Sequence, residues 1–215
     1  MSCTKFKRNA EMNGKIDPDI EMALDMQINN LEEEIHTRVE NSGMKYVHML
    51  LIRDLSFVKS KLDTILFIKF LCMQYMRTEK RRVNAIKATS WQEIIDTAKI
   101  WNILSHIFAT NMAWSLLKNI RDFTFLVMDN KSGNPFLTGD QPVINTHGTK
   151  TTLMEQVYDV EFYYPLSPDK AMLFTKTPEK HNRVTGETVD MYNQHIVLGS
   201  HEQIFSCSRE SLARL

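Results

Sequence analysis

Apolar residues recur every three or four positions at Leu24, Ile28, Leu31, Ile35 and Val39, the spacing that places them on one face of an α-helix. Asp17-Pro18 supplies its start: the carboxylate can accept from free first-turn amides, and proline gives up an N–H that would have no partner. The opposite face is acidic, with Glu32, Glu33 and Glu34, and Asn41-Ser42-Gly43 predicts the end. A second helical stretch begins near Met44. The segment from about Phe57 to Ile86 predicts one long helix that starts apolar and ends basic. Ser90-Trp91-Gln92-Glu93 has the spacing of a capping box and predicts a further helix running to about Asn119.

After Arg121 the pattern changes to short β-rich runs, Phe123 to Met128, Val143 to Asn145, Val160 to Tyr164 and Ala171 to Thr175, bounded by turn residues. Asp129 to Pro135 is a loop signal between two of them. Residues 187–198 return to a helical pattern, and Gln203 to Ser206 predicts a last short strand. No repeat, heptad series or low-complexity tract is evident. Helices first and strands later indicate an α+β fold, a helical half packed on a small, mainly antiparallel sheet with a late helix. The predicted organisation is a polar, flexible arm over 1–16 and one domain over 17–215, helical over 17–120 and strand-rich over 121–208.

Composition narrows the function classes. At 215 residues the chain can bury a sizeable core. Its 26 basic and 26 acidic side chains cancel, so no overall field draws it to nucleic acid or to an anionic membrane. Split after Ile120, the halves carry 17 basic against 14 acidic and 9 against 12, or +3 and −3, an asymmetry that favours their docking. The three cysteines have no metal-ligand spacing and an odd count, which points to a reducing, cytoplasmic setting. Thr64 to Met76, the most apolar run, is 13 residues long and contains Lys69 and Gln74. A membrane span needs about 20 apolar residues, so this is a buried helix and no membrane partner is expected. The polar N-terminus has no secretory h-region.

Three stretches could carry chemistry. On a continuous helix Gln74, Arg77 and Arg81 fall at i, i+3 and i+7, and two guanidiniums a turn apart offer planar donor forks to a carboxylate or phosphate. The same arginines could equally pair with structural carboxylates. Lys80, Arg82 and Lys87 extend the basic cluster, a thin basis for nucleic-acid binding and an ordinary pattern for a solvated face. Asp140, in Leu137-Thr138-Gly139-Asp140-Gln141-Pro142-Val143, precedes a strand; it could bind a metal or act as a base, or it could cap the turn by accepting from nearby amides. Tyr164-Pro165-Leu166-Ser167-Pro168 reads as a rigid, extended structural turn. The seven histidines contain no helical zinc pair, the serines no GxSxG elbow, and the seven glycines no phosphate loop.

Taken in order, Gln74-Tyr75-Met76-Arg77-Thr78 with Arg81, Gly139-Asp140-Gln141-Pro142-Val143, Tyr164-Pro165-Leu166-Ser167-Pro168 and the Asn193-containing stretch from Val189 to Phe205 resemble the landmarks of the bacterial domain-of-unknown-function family forty-two thirty-eight. That family shows a Gln-x-x-Arg-Thr-Pro-x-x-Arg helix, a Ser-Asp-Asn-Pro-Val turn, a Pro-Leu-Ser-Pro turn and a closing helix with asparagine. Here Thr78 is followed by Glu79, Gly139-Asp140-Gln141 replaces Ser-Asp-Asn, and the family's His-Tyr-Val-Pro opening is missing. If that histidine serves an active site, the resemblance implies a truncated or inactive member.

The resemblance assigns no reaction, which leaves two expectations. In one, Asp140 and Glu32 are catalytic carboxylates that hold a metal or act as base, and Gln74, Arg77 and Arg81 grip the phosphate of a phosphodiester in a metal-assisted, nuclease-like hydrolysis. In the other, the same residues form a structural salt-bridge hub in a non-catalytic binding module, a defence- or stress-associated protein with a protein partner. The metal, any cofactor and the substrate are not specified by the residues.

Overall fold

The computed structural model describes residues 34, 37–91, 96–148, 159–181 and 184–212. By internal contacts the chain divides into Met1–Asn41 and Ser42–Leu215. In the first unit Arg38 pairs with Glu34 at 2.5 Å, one turn away. Everything that follows concerns the second. The helix predicted to start at Asp17-Pro18 begins outside the described residues, as does the acidic face at Glu32 and Glu33.

The helix end expected at Asn41-Ser42-Gly43 is not one: residues 37–51 (α1) are helical throughout. Gly43 is there for packing. A Cβ on it would lie 2.0 Å from the ring of Phe70, so glycine lets that buried ring meet the helix backbone.

The predicted single helix from Phe57 to Ile86 is three pieces: a 3-10 turn at Ser56–Lys59, a helix at Lys61–Met76 (α2) and another at Glu79–Thr89 (α3). Ser60 caps α2 by accepting from the Asp63 amide. The last seven residues of α2, Phe70 to Met76, are all buried, as expected of a helix apolar all round. The break falls at Thr78, whose backbone is extended (φ −75°, ψ 152°).

Ser90 does not open the next helix. It closes α3 in αR geometry, and Asp96 instead caps Thr97–Lys118 (α4) by accepting from the Lys99 amide. Glu93 lies outside the described residues. The predicted end of this helix, near Asn119, holds.

The strands are β1 (Thr124–Asp129), β2 (Thr138–Gly139), β3 (Ile144–Asn145), β4 (Phe162–Ser167), β5 (Lys170–Thr175) and β6 (Ile204–Phe205). A late helix, α5, covers Gly186–Gly199, and Arg209–Leu212 (α6) follows β6. The main sheet is antiparallel in the order β1-β5-β4-β3, and β2 pairs with β6 separately. The fold is α+β, as the order of elements indicated.

Both faces of the main sheet are covered. Phe125 of β1 and Phe174 of β5 join Phe57, Phe67 and Tyr46 in one aromatic cluster, with ring centroids 4.8–5.8 Å apart. On the other face Leu126, Met128, Tyr163, Ala171 and Leu173 pack on Val189, Tyr192 and Ile196 of α5. Two buried faces explain why the strands read as continuous apolar runs and not as alternation.

Pro165 also differs from expectation. Tyr164-Pro165-Leu166-Ser167 lies inside β4, with a register shift between Pro165 and Ser167, and the chain turns only at Pro168-Asp169. β3 pairs with Phe162 and Tyr163 alone, so Pro165 sits where β4 has no neighbour on that side and its missing N–H costs nothing.

Alanine in place of a helical glycine ordinarily stabilises by about 1 kcal/mol. At Gly43 the sign reverses: Gly43→Ala should destabilise by about 1–3 kcal/mol through overpacking against Phe70, read as a lower urea midpoint with unchanged slope. A gain in stability would refute the packing role.

Candidate functional site

The sequence landmarks meet around one extended segment, Pro135 to Val143. Only Thr138 and Gly139 in it belong to a strand, so its remaining backbone groups need other partners. Pro168 O accepts from the Phe136 amide at 2.9 Å. Asn193 on α5 serves both sides of the next peptide: its Oδ1 accepts from the Leu137 amide (2.9 Å) and its Nδ2 donates to Pro135 O (3.0 Å). The Asp140 amide donates to Gln203 O at 3.1 Å. Gly139 is required here, since a Cβ would fall 2.0 Å from Ser200 Oγ.

Asp140 is held by the backbone. Its Oδ1 accepts from the His201 amide (2.8 Å), and its Oδ2 from those of Glu202 (2.7 Å) and Gln203 (3.1 Å). Partial burial pulls its pKa up, but the three amides together outweigh this and hold the carboxyl below its ordinary value. Two arms of chain, 139–141 and 200–203, are thereby tied, and neither arginine is the partner of this carboxylate.

The Gln74-to-Thr78 landmark reaches the same segment through Thr78, whose Oγ1 donates to Gln141 Oε1 at 3.1 Å inside the core. The extended backbone of Thr78 parts the expected stripe. Gln74 is buried on α2, Arg77 is the exposed C-cap of α2, and Arg81 is half-buried on α3. Continuous helical spacing therefore does not align them. What brings the two arginines to one region is the sheet: Tyr75 packs on Phe162 of β4 at 5.1 Å, Arg81 lies 3.9 Å over the Tyr75 ring, and Arg77 acts on Tyr164, two residues along the same face of β4. Burial raises the pKa of both tyrosines, with the nearby guanidiniums opposing it.

The charge of Arg81 is not matched by a carboxylate among the described residues, and its buried Nε has no acceptor. Lys80, next to it, donates to the carbonyls of Leu198 and Ser200 (3.0 Å to the latter) at the C-terminal end of α5, where a cation complements the helix dipole. Burial and Arg81 lower its pKa, and Asp140 opposes them. Arg82 pairs with Glu79 at 2.9 Å, and Lys87 is exposed. Glu32 lies outside the described residues. Among the described residues no group of three or more His, Cys, Asp or Glu could hold a metal ion, and no helix is long and apolar enough to cross a membrane.

Two polar residues carry no signal in the sequence. Tyr75, inside the Gln74 landmark, reads there as one more apolar helix position. Glu161 reads as an interruption of a strand, yet it is buried and accepts from the hydroxyls of Thr146 (2.8 Å) and Thr175 (2.6 Å).

These features define an α+β domain in which polar landmarks clasp a central segment and a basic elbow lies between α2 and α3. The chain belongs to the family described as Protein of unknown function (DUF4238), whose model matches residues 11–210. No curated protein and no solved structure matches the chain.

Because the folded pKa of Asp140 is depressed, its stabilisation is fully present above the unfolded value of about 4 and is lost as pH falls through the folded value. Asp140→Ala should cost about 1–2 kcal/mol near neutral pH, the partly exposed amides being rehydrated. Urea unfolding of the wild type and the variant should converge as the pH is lowered through that window. A constant gap between them would show that the carboxylate charge is not what the amides hold.

Proposed function

We propose that this protein is a binding module whose basic elbow between α2 and α3 receives an anionic group, a phosphate or carboxylate, of its ligand. The observation that carries this reading is Arg81: a half-buried guanidinium, oriented by stacking on Tyr75 and without a carboxylate counter-ion among the described residues. A charge removed from water without a partner is costly, and an incoming anion would relieve that cost. Arg77 supplies a second guanidinium, Lys80 sets the local potential, and buried Gln74 supports the end of α2 from below.

Asp140 and the Thr78–Gln141 bond belong to the scaffold in this reading. The hydrolytic alternative, a metal-assisted phosphodiester hydrolase with Asp140 and Glu32 as its carboxylates, would require Asp140 to exchange backbone amides for a metal or a water proton. The salt-bridge hub survives in modified form, as a clasp of hydrogen bonds in which the arginines take no part.

Titration of the wild type with inorganic phosphate and pyrophosphate by calorimetry should show salt-sensitive binding, and Arg81→Ala should weaken it at least about tenfold, one charge-assisted contact being worth about 1.5–3 kcal/mol. The melting temperature of Arg81→Ala should stay near that of the wild type. Absence of binding by the wild type would refute the seat, and a loss of about 3–5 kcal/mol in stability would instead mark Arg81 as half of a structural ion pair.

A further inference from the structure

The search leads to α4, whose two sides are both apolar. Its inner side presents Trp101, Ser105, Ala109, Ala113 and Leu116, all buried, and the small residues among them allow close approach to α2. Its outer side carries Ile103 (61% exposed), Ile107 (47%), Phe108 (43%) and Trp114 (62%). A contiguous exposed stripe of large apolar side chains marks an interaction surface.

The stripe has a definite spacing. Ile100, Ile103, Ile107, Thr110, Trp114 and Leu117 follow one another at intervals of 3, 4, 3, 4 and 3, the seam of a coiled coil. That order reads the same in both directions. An identical helix laid antiparallel, with a two-fold axis between 108 and 109, therefore sets Ile100 against Leu117, Ile103 against Trp114 and Ile107 against Thr110. Every layer then contains a large apolar residue, whereas a parallel pairing would stack Thr110 on itself and Trp114 on itself. Charge agrees: the same register sets Asp96 of one copy against Arg121 of the other at both ends, while Lys99 and Lys118 fall on opposite flanks of the seam. The helix dipoles also oppose each other favourably.

We propose that the outer face of α4 is a homodimer interface, formed by antiparallel, two-fold docking of α4 on a second copy of this chain. An isologous contact of this kind is the commonest route to a closed assembly. It is independent of the basic elbow and does not rest on the anion seat.

Sedimentation of the full chain across a wide concentration range tests it. A reversible monomer–dimer equilibrium is expected, and Ile103→Glu or Trp114→Glu should raise the dissociation constant by about 30-fold or more. Circular dichroism checks that each variant keeps its helix, and Ile103→Gln with Ile107→Gln serves if a charged variant unfolds. A spin label at Lys99→Cys, in a Cys207→Ser background, fixes the direction: antiparallel copies keep the two labels about 30 Å apart, the rise of a helix between positions 99 and 118. A chain that stays monomeric, a dimer indifferent to all these variants, or labels in close contact would each overturn the proposal.

Discussion

The structure depends on how one irregular segment satisfies its backbone. Pro135 to Val143 threads between the late helix, the β4–β5 hairpin and the α2–α3 elbow with only two residues in a ladder. Buried amides and carbonyls cannot be left unpaired. The partners are the carboxamide of Asn193, the carbonyl of Pro168, the carbonyl of Gln203 and the side chain of Gln141. Asp140 completes the arrangement in the opposite sense, with its carboxylate collecting three amides from the strand that β2 pairs with.

This accounts for the polar character of the landmarks. Three of them touch the segment directly, and the Gln74-to-Thr78 landmark reaches it through Thr78 and Gln141. The same Thr78 requires an extended backbone, which ends α2 and starts α3. The elbow is thus a consequence of the clasp, and it turns Arg77 and Arg81 toward the tyrosines of α2 and β4 instead of stacking them along one helix. Scaffold and candidate site share residues without sharing roles: the landmark asparagine, aspartate and threonine hold the backbone, and the arginines are left to face a ligand.

Much of the fold was legible in the residues. The strands fall within a few positions of the apolar runs, the late helix matches its pattern, and the apolar stretch before Met76 is buried as its composition requires. The errors share one cause: each local signal met a stronger distant partner. Asn41-Ser42-Gly43 looks like a terminus, yet the glycine accommodates Phe70, 27 residues away. Ser90 has the spacing of a cap, yet Asp96 does the capping. No break is signalled at Thr78, because the bond that stabilises it comes from Gln141, 63 residues on.

The sequence by itself determined the class of fold, the buried helix, the placement of the strands and the set of polar residues worth following, because these depend on periodicity and on which side chains leave water. It also left Asp140 open between turn cap and catalytic carboxylate. Only the tertiary structure decided which groups that carboxylate meets, that Arg81 rests on Tyr75, and that α4 has a second apolar face with a symmetric seam. Hydrogen-bond partners and exposed faces are relations between segments far apart in the chain, and local spacing holds no record of them.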